Sequence, residues 1–137
     1  MAKGKVFAAA GTAKISVVDV GDIASVAAAA LTEQGHEERR YDLTGPEALT
    51  HAEMAERLSK AVGREILYVD VSPEAMLEAL LGVGLPRWQA DGLIEDYAHY
   101  RRGEASAIAT GVQNAIGSPA RCFDAFARDC APVFSST

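Results

Sequence analysis

The chain of 137 residues is 49% hydrophobic and 23% charged, the balance of an ordered globular protein rather than a disordered one. Its net charge of −6 and pI near 5.0 lack the clustered Lys and Arg that neutralise phosphates, which argues against a nucleic-acid partner. No apolar run approaches the ~20 residues of a membrane span, and the opening MAKGKVFAAAGTAK holds too short an apolar stretch for a secretory signal. A cytoplasmic protein forming one domain over residues 1–137 is the expectation.

Val6 to Ala9 reads as a short strand ended by Gly11-Thr12. Ile15 to Val20 has the β-branched enrichment of a buried strand, and Asp22 stands where a helix N-cap belongs. Ile23, Val26, Ala27, Ala30 and Leu31 then follow at helical spacing until Gly35. A strand over Arg40 to Leu43 runs into Thr44-Gly45-Pro46. The next helix opens with a Thr50–Glu53 capping box and a Leu49–Met54 hydrophobic staple, shows an apolar stripe of Met54, Leu58, Ala61 and Val62, and stops at Gly63.

Ile66 to Val71 is strand-like, and Ser72, Pro73 and Glu74 supply a cap, a first helical position and a dipole complement. That helix ends at Gly82 and Gly84. Another begins at Pro86 and carries Trp88, Ile94, Tyr97 and Arg101 as far as Gly103. A weaker helix is expected over Ser106 to Ile116, broken by Gly117-Ser118-Pro119, and a last one around Phe123 to Ala131. On that last helix Cys122 and Cys130 stand about 12 Å apart along the axis, beyond disulfide reach, and read as reduced thiols too few to hold a metal.

The usual catalytic signatures are absent. No strand is followed by a glycine-rich turn and a helix, and GVGLPRWQADG follows a helix instead. The lysine-containing phosphate loop and the Gly-x-Ser-x-Gly elbow do not occur. Tyr-x-x-x-Lys is missing, and its nearest likeness is Tyr97 with Arg101, whose guanidinium stays charged where a lysine tunes its pKa. His36, His51 and His99 are scattered without metal-ligand spacing. Asp19 and Asp22 sit on a strand-to-helix turn, where capping accounts for Asp22.

Residues 15–74, ISVVDVGDIASVAAAALTEQGHEERRYDLTGPEALTHAEMAERLSKAVGREILYVDVSPE, resemble the C-terminal half of NmrA-like proteins, atypical relatives of the short-chain dehydrogenases. The pattern Ser-Val-Val-Asp-Val-x-Asp-Ile-Ala, then Tyr-x-Leu-Thr-Gly-Pro-Glu-Ala-Leu-Thr, then Tyr-Val-Asp-Val-Ser carries the likeness, and GSPARCFDAFARD resembles the segment with which such proteins end. The resemblance implies an α/β fold: a partial Rossmann-like substrate lobe of few, largely parallel strands and several helices, without the N-terminal dinucleotide-binding half. It implies that Arg40 to Leu43 is the final strand of the larger sheet, and that Ile15 to Val20 pairs with Ile66 to Val71. NAD(P)H is the cofactor of the full-length relatives. The glycines that hold it have no counterpart here, so no cofactor is expected on this chain alone.

Within the lobe Trp88, Tyr97, Tyr100 and Arg101 are the candidate ligand-binding residues, with no catalytic residue assigned. An open strand edge and bare helix faces call for cover, which predicts a homo-oligomer, most simply a two-fold dimer, or a separate cofactor-binding chain. Three functions fit: a catalytically incomplete substrate lobe that binds a small apolar or aromatic ligand, a dimerisation module without small-molecule chemistry, or a small enzyme with a new site at a dimer interface built from Tyr97, His99, Tyr100, Arg101 or Asp22.

Overall fold

Backbone hydrogen bonding in the computed structural model, which describes residues 4–135, gives two short strand pairs and six helices in an α/β arrangement. β1 (Lys5–Ala8) pairs in parallel with β4 (Leu67–Asp70), with Val6 opposite Tyr68 and Phe7 opposite Val69. β2 (Lys14–Ile15) pairs antiparallel with β3 (Leu49–Thr50). The helices are α1 (Val20–Thr32), α2 (His51–Val62), α3 (Pro73–Gly82), α4 (Arg87–Arg101), α5 (Gly111–Ile116) and α6 (Phe123–Ser135). No helix among the described residues is long and apolar enough to cross a membrane.

The capping signals of α2 and α3 act as the sequence predicts. Thr50 Oγ1 accepts from the Glu53 amide at 3.1 Å while the Glu53 carboxylate accepts from the Thr50 amide at 2.7 Å, and Gly63 ends α2 in the left-handed region. Ser72 caps α3, with Pro73 at its start.

Five expectations are corrected. Ile15 to Val20 is not one strand: pairing stops at Ile15, and Ser16 is instead held by the carbonyls of Ala105 and Ala107. Val20 already belongs to α1, and the cap is Asp19 rather than Asp22, because Asp19 Oδ1 accepts from the Gly21 amide at 2.7 Å. The partner of Leu67–Asp70 is therefore β1.

Arg40 to Leu43 forms no ladder. Its sequence alternates as a strand should, with Arg40 and Asp42 exposed and Tyr41 and Leu43 half-buried, yet no backbone–backbone bond among the described residues involves it. A strand exists only through a neighbour that exchanges N–H and C=O groups with it, and none lies alongside.

The helix expected over Ser106 to Ile116 is confined to Gly111–Ile116, because the preceding backbone is committed to Ser16 and Thr44. α6 runs past Ala131 to Ser135, with Pro132 inside it. Cys122 and Cys130 are free thiols.

Two packing units result. Val26 of α1 and Val112 and Ala115 of α5 form a buried cluster onto which Tyr41, Leu43 and Ile116 pack. α2 packs on α6 and on β4, and α3 packs on α4. Two glycines permit close approach of the irregular segments that join these units. A Cβ at Gly45 would lie 2.1 Å from the Val17 carbonyl, and one at Gly111 would lie 2.2 Å from that of Asp42.

Candidate functional site

The candidate site lies where one face of α2 meets the aromatic residues of β4, α4 and α6. The capping box fixes His51 as the first helical residue, so His51, Met54, Ala55 and Leu58 recur at i, i+3, i+4 and i+7 on a single face. The His51 ring stands 5.4 Å from that of Tyr68 and 5.7 Å from that of Tyr97. Tyr97 meets Tyr100 edge to face at 5.3 Å, and Phe123 stands 5.6 Å from Phe126. With Val6, Ile15 and Val17, all of these residues except Tyr68, which packs against His51, line an open, mostly apolar cavity of about 340 Å³. Val17, Phe123 and Phe126 also border an apolar recess of about 200 Å³ beneath Asp19, Arg121 and Cys122.

Polar groups at the rim are largely committed. The Tyr68 hydroxyl accepts from the Ala10 amide at 3.3 Å and is 3.1 Å from the Ala8 carbonyl and 2.9 Å from Asp70 Oδ1. Burial and the Asp70 contact push the Tyr68 pKa up to about 12. Asp70 also accepts from the Gly11 amide at 2.8 Å, and this bond and the one from Tyr68 hold its carboxyl below the ordinary range. Arg101 Nη2 is 3.8 Å from Asp70 Oδ1. Burial lowers the pKa of His51, against a smaller opposing pull from Asp70, and raises that of Tyr97. At neutral pH the wall of the cavity thus holds a neutral imidazole at His51 and a neutral phenol at Tyr97, with no carboxylate, ammonium or guanidinium among the lining residues. Such a surface suits binding of an apolar aromatic molecule more than acid–base chemistry.

Of the residues singled out from sequence, Tyr97 and Tyr100 line this cavity and Arg101 stands near its rim beside Asp70. Trp88 does not join them. It lies on the first turn of α4, 74% exposed, outside the lining. His99 is engaged with Glu104 and Arg102 on the outer surface. Asp22 accepts from the Arg121 amide at 2.7 Å, which ties α1 to the segment just before α6. Sequence reading passed over His51 and Tyr68. The spacing of His51 with Met54, Ala55 and Leu58 was the available signal. Among the described residues no group of three or more His, Cys, Asp or Glu side chains could hold a metal ion.

The N-termini of α1, α2, α3 and α6 are poorly suited to a dinucleotide pyrophosphate. A phosphate seeks free amides at a helix N-terminus. The first turns of α1, α2, α3 and α6 each contain a carboxylate, and those of α1, α2 and α3 also have amides already taken by Asp19, Thr50 and Ser72. α4 follows another helix and begins after Pro86 rather than after a strand.

No family model matches the chain. It is 40% identical over 134 residues to the NAD(P)H azoreductase of Xenophilus azovorans, an alignment covering 98% of this chain and 47% of that protein. Its fold superposes on the NADPH-dependent quinone oxidoreductase of Escherichia coli with a TM-score of 0.81 at 30% identity, covering 96% of this chain and 46% of that one. The Citrobacter sp. triphenylmethane reductase, solved with NADP(H), gives a TM-score of 0.78 at 29% identity over 93% of this chain and 44% of its own. The chain therefore spans about half the length of the relatives it matches.

Proposed function

We propose a role for this chain from the premise that it belongs, along nearly its whole length, with the NAD(P)H-dependent reductases of the NmrA-like, atypical short-chain dehydrogenase group. The chain is the substrate-side portion of such an oxidoreductase. It supplies the apolar wall against which a conjugated aromatic or quinoid molecule lies, while NAD(P)H is held by a dinucleotide-binding portion outside these residues. Alone it is catalytically incomplete. The observation that carries this reading is the uncharged cavity walled by His51, Tyr97, Tyr100, Phe123 and Phe126, in a chain where carboxylates and capping side chains occupy the N-termini of α1, α2 and α3. Relatives named for azo, quinone and triphenylmethane reduction support the ligand class.

Arg40 to Leu43 adds support. Its unpaired backbone suits the edge of a sheet completed by another element. The same feature favours a second reading, a homodimer, as does the apolar outer face of α1, where Val20 is 79% and Leu31 86% exposed. In that reading a second copy provides the cover.

Calorimetric titration of the isolated chain tests the first reading. NADPH is expected to give no saturable heat, and an aromatic quinone is expected to saturate one site. Tight NADPH binding by the lone subunit overturns the reading. Sedimentation at micromolar protein tests the second, which fails if the chain runs as a monomer.

A further inference from the structure

Within the cavity one polar atom has no assignment. His51 Nδ1 is the buried side-chain nitrogen or oxygen that lacks a hydrogen-bond partner among the described residues. A native structure satisfies nearly all such groups, because an unmade buried bond is costly. The neighbours do not fill the need. The Tyr68 hydroxyl is occupied by Ala8, Ala10 and Asp70, and the remaining cavity lining around His51 is chiefly carbon: Met54, Ala55, Leu58 and the aromatic rings. The imidazole packs against the rings of Tyr68 and Tyr97, both tilted relative to it, which leaves the ring edge as its polar feature. Nδ1 itself has almost no accessible surface, so meeting a ligand requires the ring to turn about its Cβ–Cγ bond, a torsion that is broad for histidine.

We infer that His51 is the specificity-determining residue of the cavity, pairing through Nδ1 with one hydroxyl or carbonyl oxygen on the edge of a flat aromatic ligand. The inference rests on the cavity being a ligand site, as proposed above. An apolar pocket discriminates weakly between hydrocarbons, whereas a buried group left unpaired discriminates strongly against a ligand that fails to meet it. A neutral imidazole offers one donor and one acceptor, so it serves a phenol or a quinone according to its tautomer. Burial, which lowers the pKa of His51, keeps the ring in that neutral form.

The test compares 2-naphthol with naphthalene, which share a ring system and differ by one hydroxyl, using calorimetry on the full chain and on His51→Phe. The wild-type chain is expected to bind 2-naphthol about tenfold more tightly than naphthalene, the worth of one hydrogen bond. His51→Phe is expected to erase that preference while binding naphthalene within about twofold of wild type. In parallel, ¹⁵N spectra of the wild-type imidazole are expected to shift at Nδ1 on adding 2-naphthol and not on adding naphthalene, a readout that does not depend on the variant folding. If both compounds bind equally, or the preference survives in His51→Phe, the role of His51 is overturned while the cavity reading stands. If neither binds the wild-type chain, the cavity reading falls and takes this inference with it.

Discussion

Arg121 Nη1 lies 3.1 Å from Asp19 Oδ2, while the other oxygen of that carboxylate caps α1 through the Gly21 amide. The Asp19 side chain is only 9% exposed, so it depends on Arg121 for compensation. Arg121 also reaches Asp129 and the Ala125 carbonyl on α6, so its guanidinium, together with its amide bond to Asp22, links the start of α1 to the last helix. Arg121→Ala is expected to destabilise the fold by about 1–3 kcal/mol in urea denaturation, because it leaves a nearly buried carboxylate short of a partner. Asp19→Ala is expected to cost at least as much, since it removes the cap as well.

Gly45 and Gly111 are required by contact rather than by backbone angle. Gly45→Ala and Gly111→Ala each drive a methyl group into a neighbouring carbonyl, and each is expected to cost about 3 kcal/mol. Gly92 lies inside α4 with nothing within 4 Å of a Cβ, and Gly92→Ala is expected to stabilise by about 0.5–1 kcal/mol. Thermal melts of the three variants, compared at one protein concentration, check both signs.

The lowered pKa of His51 gives stability a pH signature. A base whose folded pKa lies below its unfolded value binds a proton more readily when unfolded. Its neutral form is favourable above the ordinary value near 6.5, and stability falls as pH drops through that value toward the folded pKa. Asp70, the charged group acting on it, opposes part of the shift and does not reverse it. The urea midpoint of the wild-type chain is expected to drop more between about pH 7.5 and about pH 5.5 than that of His51→Phe. Equal drops in the two proteins would remove the claim.

Tyr68 joins β4 to the loop after β1 through its hydroxyl. Tyr68→Phe keeps the ring against His51 and removes the hydroxyl shared by Ala8, Ala10 and Asp70. A loss of about 1–2 kcal/mol is expected by chemical denaturation, with the slope unchanged.

The capping residues of α2 and α3 were legible in sequence because capping is local chemistry: Thr50 with Glu53, and Ser72 with Pro73, act within one turn. The β-branched run Ile15 to Val20 suggests a strand through Asp19, which moves the expected cap on to Asp22. What limits a strand is the partner, and Ser16 finds Ala105 instead. The cavity was half legible. Tyr97 and Tyr100 share a face of α4 by spacing, whereas Trp88, nine residues before Tyr97, falls on the opposite side; that the shared face meets α2 and α6 follows from tertiary packing that no local pattern encodes. His51 was read as a scattered histidine, although its positions relative to Met54, Ala55 and Leu58 already placed it on the buried stripe.

The unladdered stretch from Arg40 to Leu43 leaves a kinetic mark. Its amides have no backbone acceptor among the described residues, so in D₂O they take up deuterium quickly even though Tyr41 and Leu43 are packed beneath. A strand arriving at one side would shield alternate amides of the four, and the parity of the shielded positions would tell which side it took. Labelling thus reports the docking of a neighbour, and its orientation, before that neighbour has been identified.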